Sequence, residues 1–566
     1  MKENKEYDAE PFINLLRSHP FIAFGFICLL INEVIGMSSS NRISAQGFCF
    51  VIVLAAIGVW YIYSSKSYLA TKINIIISCS ALLVFGILIV LSLKSNQTLF
   101  FVFLSCVLAV LAIACFLYIK GKLTTRNIIL LLGIFSLLLR VMYIIYTPYN
   151  VRQHDSYSIE SSSGHLTYIQ YLFNYNFQLP NFDPRSIWQF YQPPVHYYLA
   201  ALWLKFNCAL GMEYTQAIEN IQVLTLFYSG CINILCYKIF KEFDFKKLAL
   251  IIPFAIVCFN PTLIILSGSI NNDVLCFVFM LGAVLATIRW YKNPNIISII
   301  KIAIFVGLSM TTKASGAMVA PAIAIVFLIK LFQEKDKFKK LIKQFVVFGV
   351  VCVPLGMCWS AYNFIKYGMP INYVPKLGTD INQYIGSYSI FERFFDTNPQ
   401  QLSSIYTSFG GAGYYEHNIF IALLKCSVFG EYTLSENRSY IVLPSNILFY
   451  VNLFLVLISL ACMIFVLVKK SDIINKGLKT FFFVLYSVIF VSYIKFCFDY
   501  PHVCTQDFRY IAILFVIGTI AIGATLSNLQ NRKSSSGRLI TSCIIFITVL
   551  FCTATTCVYS LLSIVS

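Results

Sequence analysis

Charge is what this chain has least of. Only 12% of its 566 residues are Asp, Glu, Lys or Arg, roughly half the share in a soluble globular protein. Too few polar residues are present to coat several soluble domains, which excludes that architecture and with it most nucleic-acid readers. The 19 cysteines contain no CxxC pair and lie mostly inside apolar runs, so a disulfide framework is not indicated and they read as small buried hydrophobes. Cys497 and Cys504 flank one polar turn and are left open as a pair or two thiols. Also missing are an internal repeat, a low-complexity tract and the strict apolar/polar alternation of an outer-membrane barrel.

What is present is 58% hydrophobic residues in long runs, and a run of roughly 20 crosses a bilayer as one helix. Spans are predicted near 20–37, 46–64, 73–93, 98–119, 127–147, 218–237, 248–267, 273–290, 297–312, 315–329, 344–363, 443–468, 480–498, 508–528 and 539–563. The first is read as retained rather than as a cleaved signal, because Glu33 interrupts it. The fold class is therefore all-α: a polytopic integral membrane protein of about 15–16 transmembrane helices.

Lys and Arg orient it, since short cytoplasmic loops are enriched in them. Placing Lys120/Lys122/Arg126, Lys238–Lys247, Lys335–Lys343, Lys469/Lys470 and Arg532–Arg538 inside puts 148–217, 268–272 and 364–442 outside. Most of the +18 formal charge thus becomes an orientation signal rather than a sign of acidic partners. The segment Pro193–Met212 is apolar enough to span, but parity and Lys205 favour an interfacial or re-entrant helix.

Five of six histidines and 14 of 24 acidic residues fall in the outer segments. A transporter would instead place ionisable groups in mid-span, where only Glu33, Arg140 and Lys495 are expected. Polar chemistry on one face points to an enzyme acting there. Its densest stretch holds Arg152-Gln153-His154-Asp155, Glu160, His165 and Tyr191-Gln192-Pro193-Pro194-Val195-His196. Asp155 is a candidate general base beside His154, although capping or pairing with Arg152 accounts equally for it. Asp273, in Asn271-Asn272-Asp273, is an N-terminal helix acid by composition and a second site carboxylate by its predicted face. Lys313 and Arg509 suit phosphate binding, or snorkelling to the interface. The remaining polar side chains, His154, Glu160, His165, Tyr191, Gln192 and His196, are candidates for contacting substrate. A divalent metal is not required by any recognised ligand spacing among the histidines, nor is one excluded.

These residues carry a resemblance. An Asp in the first outer loop, then Gln-Pro-Pro-Val-His-Tyr-Tyr, Asn-Asn-Asp-Val-Leu and Thr-Lys-Ala-Ser-Gly, resemble glycosyltransferase family 39 in consistent order over about 127–330. Phe429-Gly430-Glu431 and Phe508-Arg509-Tyr510 extend the likeness. The family includes the protein O-mannosyltransferases and the lipid A aminoarabinose transferase. The resemblance implies a GT-C-like fold with a long first extracytoplasmic loop. It also implies a polyprenyl- or dolichyl-phosphate sugar donor and transfer with inversion to a hydroxyl acceptor at the extracytoplasmic face. Asp155 then matches the first-loop catalytic acid and Asp273 the second-loop carboxylate. Protein O-mannosyltransferases typically carry Asp-Glu in that loop, whereas Ser156 follows Asp155 here. The acceptor is therefore left open among glycan, lipid and protein.

The expected organisation is an N-terminal four-helix module (1–126), a catalytic membrane core (127–363), an extracytoplasmic loop region (364–442) and a C-terminal four-helix module (443–566). A bacterial plasma membrane is the favoured location, or the endoplasmic reticulum in a eukaryote. No nucleic-acid partner is expected. Two other functions fit the same composition: a lipid-linked sugar flippase or transporter dependent on Arg140, and a surface-polysaccharide polymerase or ligase dependent on Arg393 or Lys425.

Overall fold

The structure, a computed structural model, describes residues 18–36, 98–152, 155–371, 373–397, 399–402, 404–407, 416–432, 434, 439–469, 473–532 and 535–564. The spans expected near 46–64 and 73–93, together with His154, lie outside the described residues. Among the described residues the regular structure is helical, apart from one isolated antiparallel bridge between Tyr384 and His502. Nine helices there are long and apolar enough to cross a membrane, ten if one bent pair is a single span. Three further apolar helices, Pro20–Gly36, Thr98–Ile119 and Ile296–Thr312, occupy other expected spans. The all-helical, polytopic character read from the apolar runs is thus what the chain adopts.

The helices that build the site are α1 (Thr125–Tyr146), α2 (His165–Asn174), α3 (Val195–Ala209), α4 (Ile221–Glu242), α5 (Leu248–Cys258), α6 (Pro261–Ser267), α7 (Asp273–Lys292), α8 (Ile296–Thr312), α9 (Ile419–Phe429), α10 (Lys476–Asp499) and α11 (Ile513–Arg532). The helix α3 has 15 residues, short of the roughly 20 that span a bilayer. It lies against α2, and their apolar faces form a second small core of Leu166, Tyr168, Ile169, Tyr197, Ala200 and Leu204 beside the main one. Rings at Phe190, Tyr168 and Tyr197 stack in series, with centroids 4.5 and 4.3 Å apart.

The segment 248–267 bends by 47° between α5 and α6. The cause is local. Pro261 has no N–H to continue the ladder and sits in the first turn of α6, where Asn260 caps Leu263 N–H at 3.2 Å. The carbonyl freed at Cys258 accepts from Ser136 Oγ (3.0 Å) and Arg140 Nη1 (2.9 Å). Arg140 is 1% exposed; it also donates to Ser229 Oγ at 2.9 Å and to Ser136. Lys495 lies on the protein surface near the end of α10 and pairs with Asp499 at 2.5 Å.

The long polar segment after residue 367 folds back on the turn before Arg509. Val503 N–H donates to Gln383 O (3.0 Å), Ile385 N–H to Pro501 O (2.9 Å) and the Gln506 side-chain amide to Glu416 O (2.6 Å). Cys497 and Cys504 are both free thiols. The helix α11 packs on α5 and on α7, so residues distant in sequence close around the start of α7.

Candidate functional site

Two turns and one short helix bring the charges together. Asn272 ends the turn after α6, and its amide donates to Thr312 O at 2.9 Å and to Gln192 Oε1 at 3.4 Å. That ties the Gln-Pro-Pro segment, the start of α7 and the end of α8 into one unit. Asp273 is the first residue of α7, where a carboxylate also faces the positive end of the helix dipole. Lys313 follows α8 in extended backbone, before a 3₁₀ turn over Ala314–Val319. That turn needs Gly316, because a Cβ there would collide with the backbone carbonyl of Ser309.

Asp273 pairs with Lys313 through Oδ1 and with Arg509 Nη1 through Oδ2 at 3.4 Å. Arg509 lies in a 3₁₀ turn just before α11 whose N-cap is Asp507. Asp507 accepts from the Arg509 N–H at 2.9 Å and stands 3.3 Å from its Nε. The Tyr510 ring receives both cations, with Lys313 Nζ at 5.0 Å and Arg509 Cζ at 4.9 Å from its centroid. Side-chain exposure is 15% for Lys313 and 7% for Asp273 and Arg509, so these charges interact with little screening by water.

The first loop reaches this group through His165. Its backbone N–H donates to Asp155 O at 2.8 Å, and its Nδ1 is 2.7 Å from Tyr197 Oη. Burial holds the His165 imidazole well below its usual pKa; His196, Lys313 and Arg509 add to this and Asp273 opposes it. It is therefore neutral at neutral pH. His196 donates from Nε2 to Ile270 O at 2.9 Å, and burial lowers its pKa to about 4. His196 thus fixes the turn that delivers Asp273.

Asp155 has φ +53, between Arg152 and Tyr157, which are also in the left-handed region. Gly164, at φ +113, closes over it; a Cβ there would come within 2.7 Å of the Asp155 carbonyl. Asp155 Oδ2 accepts from Gln189 Nε2 at 3.0 Å. Tyr191 and Cys504 each feel the charges of both Asp155 and Arg509, and Tyr197 those of Asp155 and Asp273.

The expected residues Asp155, His165, Tyr191, Gln192, His196, Asp273, Lys313 and Arg509 therefore converge. Glu160 does not: it is exposed in the loop, with no hydrogen bond or ion pair to this group among the described residues. Asp273 and Asp155 are not paired to each other; Asp273 spends both oxygens on the cations. Among the described residues no group of three or more His, Cys, Asp or Glu side chains is placed to hold a metal ion.

Three residues not singled out as site residues from the sequence join the group: Asp507, Tyr510 and Glu431. The first two flank Arg509 in sequence, and an acid two residues before it was the available signal. Glu431 follows Gly430, whose φ of +61 is positive, at the end of α9, and it lies in the field of Arg509 and Asp273. Burial raises its carboxyl to about 7, with Arg509 opposing and Asp273 reinforcing the rise.

A small cleft opens from the ion group. Asp273, Lys313, Arg509 and Tyr510 line its polar part. Phe277 and Met280, one and two turns along α7, continue it with Met318, Ile489 and Ile513 into an apolar wall. A ligand with an anionic head and an apolar body matches that gradient.

No curated protein matches this chain significantly. Residues 191–359, less than a third of the chain, match the family model described as dolichyl-phosphate-mannose-protein mannosyltransferase. The resemblance to family 39 read from the sequence stands on that segment, which contains Asp273 and Lys313 and marks the chain as similar to membrane glycosyltransferases of GT-C type.

Proposed function

We propose that the protein transfers a sugar from a polyprenyl- or dolichyl-phosphate donor to a hydroxyl acceptor, in a single displacement that inverts the anomeric centre. The observation that carries this reading is the Asp273–Lys313–Arg509 group at the head of a cleft that turns apolar along α7. Lys313 and Arg509 meet the donor phosphate. Both stabilise the charge that grows on it as the bond from the anomeric carbon to the phosphate oxygen breaks, which is electrostatic catalysis by preorganised cations. Asp155, oriented by Gln189, removes the acceptor proton as the hydroxyl oxygen bonds to the anomeric carbon. Neutral His165, whose backbone N–H donates to Asp155 O, and Tyr191 belong to the polar surroundings of Asp155. The Lys/Arg distribution supports placing this site on the extracytoplasmic side.

The cations on which the two other functions depend are engaged elsewhere. Arg140 serves the α5–α6 bend. Lys425 is buried against Glu416 at 2.6 Å, and Arg393 lies over the Phe498 ring at 4.5 Å. The test is Asp155→Asn in purified, membrane-inserted protein given a lipid-phosphate sugar. Transfer should fall by roughly 10²–10⁴-fold, the span of general-base catalysis, with donor binding retained. Turnover near that of the unaltered protein overturns the assignment.

A further inference from the structure

The polar segment after residue 367 contains one apolar turn, Ile390-Phe391-Glu392-Arg393-Phe394-Phe395. It is helical because its start is closed from both sides. Ser389 Oγ accepts from the Glu392 N–H at 3.3 Å, and Glu392 Oε2 accepts from the Ser389 N–H at 2.7 Å. Ile390, Phe391 and Phe395 expose 68, 70 and 65% of their surface, which is unfavourable in water. The helix that presents them is nonetheless anchored. Arg393 is buried over the Phe498 ring, and its Nη2 donates to Gln506 Oε1 at 3.4 Å. At the other end, Asn418 Nδ2 donates to the Asp396 carbonyl at 2.7 Å.

Phe394 shows at what depth this helix stands. Its ring lies 5.6 Å from Phe498 near the end of α10 and 5.7 Å from Phe420 in the first turn of α9. Phe420 in turn stacks on Phe490 of α10 at 6.5 Å. Along α10, Phe483, Val491, Lys495 and Phe498 are spaced by eight, four and three residues, so they share one helix face. Phe483 and Val491 are exposed on it, and an exposed apolar face on a spanning helix is turned to lipid. The 24 residues of α10, at about 1.5 Å each, just exceed a hydrocarbon core about 30 Å thick. Phe498, one residue from the end, therefore lies where acyl chains meet headgroups. Lys495, exposed one turn earlier, is the basic residue expected at that level.

We propose that Ile390, Phe391 and Phe395 form a lipid-docking surface that enters the acyl–headgroup boundary of the leaflet on the site's side. The patch continues a face already turned to lipid. Three side chains also fall far short of the roughly 800 Å² that each side of a stable protein interface buries. Through Arg393 and Gln506 the docked helix is tied to the turn that carries Arg509, three residues further on. None of these contacts involves a donor, so docking stands or falls separately from sugar transfer.

The experiment places a nitroxide at Phe391→Cys, Phe395→Cys or Glu392→Cys in the full chain, reconstituted in phospholipid vesicles with its reactive native cysteines replaced. Collisions with oxygen, which concentrates among acyl chains, are compared with collisions with a water-soluble nickel chelate. Labels at 391 and 395 should favour oxygen several-fold more than one at Glu160→Cys and approach one at Leu457→Cys in the spanning helix Ser439–Val468. They should read about 5–10 Å below the phosphate level, and the label at 392 should read shallower. In the unaltered protein, a photoreactive diazirine confined to the acyl region should mark Ile390, Phe391 and Phe395, a readout that needs no substitution. Nickel-dominated collisions at both 391 and 395 overturn the proposal. Low collision with both reagents means that another segment or a second copy covers the face, and overturns it equally. So does a photolabel that marks Ser439–Val468 and spares 390–395.

Discussion

Asp273 carries more than a helix start requires. A first-turn carboxylate gains a fraction of a kcal/mol from the helix dipole, whereas this one holds Lys313 and Arg509 on separate oxygens with 7% of its side chain exposed. Removing one member of a buried ionic group costs roughly 3–5 kcal/mol, because the charges left behind are uncompensated. Asp273→Asn is therefore expected to lower the thermal midpoint and abolish transfer. Adding Lys313→Met should recover most of the midpoint without recovering transfer, since the group is then balanced again but has lost a phosphate-binding cation. Thermal unfolding and transfer measured on the same three preparations check this. A double variant no more stable than Asp273→Asn would mean that Lys313 and Asp273 do not act as a pair. The types of these residues and their common turn-end positions were legible in the sequence. That Asp273 grips both cations was not, because the partners lie 40 and 236 positions away.

At the scale of the elements, the bend between α5 and α6 decides where Asp273 arrives. Asn260-Pro261 announces a break in sequence, and the run 248–267 could still be read as one span. The cost of that break is met by Arg140, an ionisable residue in mid-span that sequence reasoning associated with a transport pathway. Its partners are the Cys258 carbonyl and the Ser136 and Ser229 hydroxyls, all neutral. Arg140→Met removes the charged donor from those acceptors and should cost on the order of 3 kcal/mol, about two such hydrogen bonds. The protein that remains folded should bind the lipid-phosphate sugar as before. A variant of unchanged stability that has lost ligand binding would return Arg140 to the substrate path. The short helix α3 shows the opposite balance. Its length, Lys205 and the loop-parity argument already separated it from the spans, and its packing on α2 supplies the apolar partner that a half-buried helix needs.

For the whole molecule, the scarce charge sets the orientation. The basic clusters between spans predict that Lys339 and Glu160 face opposite sides of the membrane. Single cysteines placed at these exposed positions, in a chain whose exposed native cysteines are replaced, should react with an impermeant maleimide from opposite sides of sealed vesicles. Labelling of both from one side would overturn the orientation and the proposed face of the site. The polar segment after residue 367 reads in sequence as an outer loop region whose cations Arg393 and Lys425 would serve a polymerase or ligase. In the fold it is bound to Gln506 and His502 and so braces the turn that presents Arg509.

Composition, apolar run length and Lys/Arg placement were enough to determine the class of this protein, its expected orientation and the candidate carboxylates, because bilayer thickness and charge transfer act on short stretches of chain. The meeting of α7 with the segments after α9 and before α11 was decided only by tertiary packing. Ion pairing across 236 residues, the burial that raises Glu431, and the neutral state of His165 depend on which helices exclude water from one another. No local stretch of sequence encodes that exclusion.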